Sequence, residues 1–260
     1  MKKRIEPEMT DLVNYNKCSM SKGMHILVYL AFFVAGAVVF SVFYPKGTYY
    51  SVIISAVVAR MLEKEYAIST IKKRKKKLRT QFCDLLEAMS VASRAGNNEL
   101  KALESAYKDL MLTYNEKSDI IREVSTIIER NRSNIPLRVL FKDFGERSGV
   151  DDIKSFGAIY EVIEGKSNKF ADIIKQTQQI IADKIEIEAE IETVLTAPKS
   201  ENKIMLFMPV LIVMLMSSGS DGGLLAPMFE AAWGPILATI CVAMFVGAYL
   251  LGNKITDIEV

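Results

Sequence analysis

The chain has 260 residues, 50% of them hydrophobic, with a formal net charge of +2 at pH 7 and a mean hydropathy of +0.17. So neutral a balance excludes the globally basic surface of a nucleic-acid-binding protein. Cys18, Cys83 and Cys241 are too dispersed for a disulfide framework or a C-x-x-C metal site. They read as free thiols facing a reducing cytosol or lipid.

The average conceals segregation. Residues 26–43 and 235–251 carry no charge, while residues 60–79 are dense in Lys and Arg. That pattern predicts a membrane protein with one cytosolic domain. After a cytosolic N-terminal segment at 1–24, residues 25–62 read as a transmembrane hairpin. His25 to Tyr44 has the roughly 20 apolar residues a span needs, and the apolar run outlasts the signal-peptide-like Ala35-Gly36-Ala37. Tyr44-Pro45-Lys46-Gly47 signals a turn. The second segment, Tyr49 to Leu62, is short and contains Arg60, which can snorkel.

Charge decides in favour of a second crossing. Lys2, Lys3, Arg4, Lys17 and Lys22 precede the first segment. Arg60, Lys64 and the run from Lys72 to Lys77 follow or end the second. Positive clusters stay inside, so an even number of crossings separates them. Residues 204–251 form the second expected hairpin. Ile204 to Ser218 is short and kinked by Pro209, and Pro235 to Leu251 is a clear span. The external loop at 217–234 lacks Lys and Arg and carries Trp233. The tail at 252–260 returns inside. Ala243 and Gly247 form a small-xxx-small pair, as frequent by chance as by design. The uncharged span centres argue against an ion-coupled transporter.

Residues 63–203 are expected to form a six-helix antiparallel cytosolic bundle, so the fold class is an all-α membrane protein. Apolar stripes at helical spacing mark each helix. They are Leu78, Phe82, Leu85, Met89 and Ala92; then Leu100, Leu103, Tyr107 and Leu110; then Ile120, Ile121, Val124, Ile127 and Ile128. Leu137, Leu140, Phe141 and Phe144 follow, then Ile153, Phe156, Tyr160 and Ile163. Phe170, Ile173, Ile174, Thr177, Ile180 and Ile181 carry the sixth. Gly96, the Asn131 to Asn134 break, Gly149 and Gly165 punctuate the series. Asn97 or Asn98, Asp151 or Asp152, and Ser167 are candidate caps, and Pro136 suits a first turn. Ile185 to Glu192 alternates like a strand, but its composition and lack of a partner strand favour helix.

Gly165-Lys166-Ser167 does not make a phosphate-binding loop, because Tyr160 stands where the motif needs its first glycine. The one histidine, His25, lies at a membrane boundary. No catalytic, cofactor or metal residue is therefore assigned, and the chain reads as a non-enzyme.

Phe82 to Ala88, Arg94-Ala95-Gly96 and Leu100-Lys101-Ala102-Leu103 resemble the opening of the type II secretion system F domain. Ile135 to Leu140, Asp152 to Phe156, Gly165 with Phe170 to Ile174, and Leu195-Thr196-Ala197 with Met208-Pro209 are similar to its later motifs. Leu224 to Phe229 and Asp257 to Val260 also fit. The likeness covers roughly residues 78–260 and is nearest the TadB branch of Tad/Flp (type IVc) pilus assembly. It departs at Gly165-Lys166-Ser167-Asn168, where the family usually has a second glycine. The resemblance implies an inner-membrane platform protein with its main domain and both termini cytosolic. Its implied partners are a hexameric secretion ATPase (TadA-like), a paralogous platform protein (TadC-like) and pilin subunits. Self-association stays open. The alternative is a membrane signalling or sensor protein with a helical output domain.

Helix lengths suggest a shape. The first and sixth helices, about 30 residues or 45 Å each, would project as a stalk. Alternation would then gather Arg94, Asn97, Asn98, Arg130, Arg132, Asn134, Lys166 and Lys169 at the distal tip. This basic, Asn-rich tip is the candidate ATPase-docking surface; its competitor is an ordinary polar loop cluster. The same register would pair Lys73 with Glu190, Lys75 with Glu188 and Lys77 with Glu186 along the stalk. The competing role for those lysines is contact with anionic lipid.

Overall fold

A computed structural model describes residues 14–15, 22–43, 48–163, 167–217 and 233–256. Eight helices fill these ranges: α1 (Lys22–Phe43), α2 (Thr48–Arg94), α3 (Glu99–Thr113), α4 (Asp119–Arg132), α5 (Leu137–Ser148), α6 (Asp151–Ile163), α7 (Ser167–Ser217) and α8 (Gly234–Thr256). No strand occurs among the described residues. The alternating stretch Ile185 to Glu192 is helical, as its Glu and Ala content favours. The chain divides into two compact units. One comprises Met1–Ser19 with Ile68–Ile187, and the other Met20–Ala67 with Glu188–Val260.

The first unit closes its own core. Leu78, Phe82, Leu85, Met89, Leu103, Ile120, Val124, Leu140, Phe141, Phe144, Ile153, Phe156, Tyr160, Phe170 and Ile174 are buried. These are the stripes that helical spacing singles out. Aromatic rings join four helices in this core. Phe82 of α2 meets Phe156 of α6 edge-on at 5.3 Å, Phe141 of α5 meets Tyr160 at 4.7 Å, and Tyr160 meets Phe170 of α7 at 5.9 Å. Such pairs add about 0.5–1.5 kcal/mol each beyond area burial. Ile180 departs from its expected place, being 50% exposed.

The helix ends follow the punctuation. Gly96 takes a left-handed φ of 89° at the end of α2. Its N–H donates to Ser93 O and that of Asn97 to Ala92 O, the double closure of a Schellman turn. At the end of α4, Asn134 (φ 65°) repeats this, with its own N–H on Asn131 O and that of Ile135 on Arg130 O. Asn98 caps α3 by accepting from Lys101 N. Pro136 stands at the N-cap of α5 and Gly149 at its C-cap. Asp151 and Asp152 differ from expectation: both lie inside the first turn of α6, and the Val150 carbonyl accepts the first helical bond, from Lys154 N. Ser167 opens α7, but its side chain, like Gly165 and Lys166, lies outside the described residues.

Helices α5 and α6 approach to backbone contact. A Cβ at Gly145 would lie 2.8 Å from Lys154 Cα, and one at Gly157 would lie 2.9 Å from Phe141 O.

In the second unit, α1 runs antiparallel to the first part of α2. A Cβ on Gly36 would sit 3.2 Å from Ser55 Cβ, and His25 Nδ1 lies 3.1 Å from Glu63 Oε1. Ser55 and Ala59 are fully buried. By contrast, nothing among the described residues lies within 4 Å of a Cβ at Gly247 of the Ala243/Gly247 pair. α7 continues through Pro198 and Pro209 to Ser217. Among the described residues, no helix is long and apolar enough to cross a membrane. The spans expected from the sequence extend past the described side chains, which stop at Val38 in α1 and resume at Val52 in α2. Most of the expected 217–234 loop, the Tyr44 to Gly47 turn and the last four residues also lie outside the description, as do Lys2, Lys3, Arg4, Lys17 and Cys18.

Gly145→Ala and Gly157→Ala should each destabilise the protein by about 1–3 kcal/mol, the cost of overpacking. Thermal unfolding followed by helical circular dichroism measures this. A wild-type midpoint in both variants would show that α5 and α6 separate freely.

Candidate functional site

Contacts sort the first unit into two ends. At one end, Arg132 at the close of α4 pairs with Glu104 of α3 at 2.9 Å. Tyr160, near the end of α6, donates to Glu99 in the first turn of α3 at 2.7 Å. These bonds bring together the α2–α3 turn, the end of α4 and the end of α6. Of the tip residues, Arg94, Asn98, Arg132 and Asn134 are exposed, and Asn97 and Arg130 are half-buried. Asn98 is occupied as a cap. Lys166 and the Lys169 side chain are outside the described residues.

The opposite end is an ionic lattice. Asp152 binds both Arg79 of α2 (2.5 Å) and Lys184 of α7 (2.8 Å). One α6 carboxylate thus ties the two long helices together. One turn further along α2, the Cys83 thiol lies 3.7 Å from Gln178 O. These contacts run α2 antiparallel to this part of α7, in a register close to the one the stalk pairs assume. Of those pairs, Lys77 and Glu186 both belong to this unit, and both are exposed without an ion pair among the described residues. Lys73 and Lys75 lie on α2, and Glu188 and Glu190 on the part of α7 assigned to the second unit. Burial raises the Cys83 thiol above its ordinary range, against the opposing pull of Gln178.

Deeper in the lattice lies a group of residues that the sequence reading did not single out. Glu123 of α4 is 4% exposed and takes a bidentate pair from Arg147 of α5, at 3.0 and 2.8 Å. Arg147 also holds Asp143 at 2.7 Å. Tyr15, far upstream, is 2% exposed and donates its phenol to Glu123 Oε1 at 2.9 Å. Its backbone N–H donates to Arg147 O at 3.1 Å. The guanidinium of Arg74 covers the Tyr15 ring at 4.7 Å while making two 2.7 Å bonds to Asp119. One signal was legible: Glu123 lies three residues after Ile120 and four before Ile127, on the buried stripe. A carboxylate there requires a buried cation. Which cation, and the arrival of Tyr15, depend on contacts across the fold.

This end fixes the positions of α2, α4, α5 and α6 against one another. Its charges are matched, and among the described residues no cluster could hold a metal ion. No protein-family model, curated protein or solved structure matches the chain.

Two changes test the lattice. Glu123→Ala leaves Arg147 buried beside an empty partner site and should cost about 3–5 kcal/mol, read by denaturant unfolding; a loss below 1 kcal/mol would show the pair to be solvated. Alkali is the second test. Burial, then the charges of Glu123 and Asp119, hold the Tyr15 phenol well above its usual range. Burial and the bond to Asp84 push Tyr114 up to about 12. A raised folded value means the unfolded chain loses its protons first, so stability is complete below about pH 10 and falls above it. Tyr15→Phe combined with Tyr114→Phe should flatten that fall; an unchanged alkaline slope would contradict the assignment.

Proposed function

We propose that the chain is a non-enzymatic platform subunit of the type II secretion F-domain kind, set in the cytoplasmic membrane. In this reading it couples a cytosolic secretion ATPase to the assembly of pilin subunits. The supporting observation is the contrast between the two units. The first buries its apolar stripes internally. The second leaves apolar side chains exposed along every helix: Ile26, Leu27, Leu30, Val34 and Val38 on α1; Val52, Ile53 and Val57 on α2; Met205, Phe207 and Leu215 on α7; Ile236, Ile240 and Met244 on α8. Large apolar side chains exposed along every helix suit lipid better than water. The helix contact at Gly36 and Ser55 uses small residues, as helix pairs in lipid do.

Tyr15 bears on topology. It is bonded into the first unit, and α1 and the start of α2 intervene before that unit resumes at Ile68. Any crossing made by α1 must therefore be reversed by α2. This supports the hairpin at 25–62 and a shared side for the N-terminal segment and the helical domain. The motif order from Phe82 to Pro209 supplies the family, and with it the ATPase, the paralogous platform protein and the pilin. The docking tip remains part of this proposal, with exposed Arg94 and Arg132 as its accessible charges.

Affinity capture from native membranes after mild crosslinking tests the reading. Recovery of a secretion ATPase and a second F-domain protein is expected. Arg94→Glu with Arg132→Glu should reduce ATPase recovery at least fivefold without changing helicity. Recovery of neither protein by a folded, abundant bait would overturn the platform reading in favour of a signalling output domain. Intact recovery with the charge-reversed tip would place docking elsewhere.

A further inference from the structure

The helical unit leaves one set of charges without counter-ions. Lys73 and Lys77 on α2, and Asp183 and Glu186 on α7, are exposed, and none has an ion pair among the described residues. All four belong to the first unit. The two lysines stand one turn apart on α2, as do the two acids on α7. Like charges at that spacing repel and weaken their own helix. A surface of the opposite sign relieves each row.

The neighbouring ion pairs fix where the rows point. Arg79 of α2 and Lys184 of α7 converge on the Asp152 carboxylate of α6. Lys77 lies two residues before Arg79, and Glu186 two residues after Lys184. Two residues turn an α-helix through about 200°. Both side chains therefore leave on the side turned away from α6. The Cys83 thiol on Gln178 O sets α2 against α7. The rows thus run side by side on one face, basic beside acidic.

Such a face is complementary to itself. A two-fold axis parallel to the helices lays the basic row of each copy over the acidic row of the other. A two-fold axis across the helices lays like charge on like, which repulsion disfavours. We propose that this face of α2 and α7 docks a second copy of the chain in an isologous dimer. Lys73 and Lys77 of each copy meet Asp183 and Glu186 of the other. Exposed pairs of this kind are individually weak and are screened by salt. The dimer is therefore reversible and salt-dependent, and charge sets its geometry. The inference does not rest on the platform reading, since every residue it uses lies in the helical unit.

Two differently tagged copies of the full-length chain, co-expressed and captured through one tag, test this. Wild-type copies should recover one another, and raising the salt from about 0.05 M to about 0.5 M should lower that recovery about threefold or more. Lys73→Glu with Lys77→Glu makes both rows acidic, and Asp183→Lys with Glu186→Lys makes both basic. Each variant should lose self-recovery by about tenfold while keeping wild-type helicity. The two variants together should recover each other close to the wild-type level, because every facing row is again of opposite sign. Failure of the mixed pair, or self-recovery unchanged by either reversal, overturns the dimer. Loss with the lysine reversal alone also overturns it and gives the lysines to anionic lipid. Should a variant lose helicity, the wild type decides: recovery that is absent or insensitive to salt overturns the proposal.

Discussion

A carboxylate with 4% exposure governs the arrangement of one end of this molecule. Glu123 sits on the apolar face of α4, where an unpaired charge costs several kcal/mol. Only a guanidinium presented edge-on satisfies both of its oxygens. Arg147 does so from the last turn of α5, and its Nε is committed to Asp143 one turn back. The pair therefore sets where the end of α5 stands against α4. It also provides the acceptors, Glu123 Oε1 and Arg147 O, that bring in Tyr15. Hydrophobic burial gives this unit its stability, while the pair joins α4 to the end of α5.

The α5–α6 contact works by a different constraint. Gly145 and Gly157 let two backbones meet where any side chain would hold them apart. The gain is close packing of Phe141, Phe156 and Tyr160 against the rings of α2 and α7. Asp152, in the first turn of α6, then reaches both Arg79 and Lys184. A short helix in the middle of the sequence thus carries the link between the two longest helices.

The sequence made the helices legible because period and punctuation are local. The stripe from Leu78 to Met89 is buried as spacing predicts, and Gly96, Asn98, Pro136 and Gly149 stand at the helix ends. What escaped was set by tertiary contact. Asp151 and Asp152 look like caps, yet Asp152 is drawn into ion pairs that only the assembled unit offers. Ile180 has the period of the core but lies on the outer edge of its stripe. Gly145 and Gly157 resemble ordinary helix-weakening glycines until the neighbouring backbone is known. Of the candidate site, Arg94 and Arg132 are the last residues of α2 and α4, and Asn134 lies just past α4, all three exposed. The contacts of Tyr15 had no local signature beyond the charge of Glu123 on an apolar stripe.

The Tyr15 contacts also set an order of events during synthesis. Glu123 lies 108 residues beyond Tyr15, and Arg147 further still. At about 5–20 residues per second, Glu123 is joined to the chain roughly 5 to 20 seconds after Tyr15. Through that interval Tyr15 has no carboxylate to bind. Burial of Tyr15 over Glu123 requires that α4 and α5 have both been made and joined. A residue made early is thereby placed late.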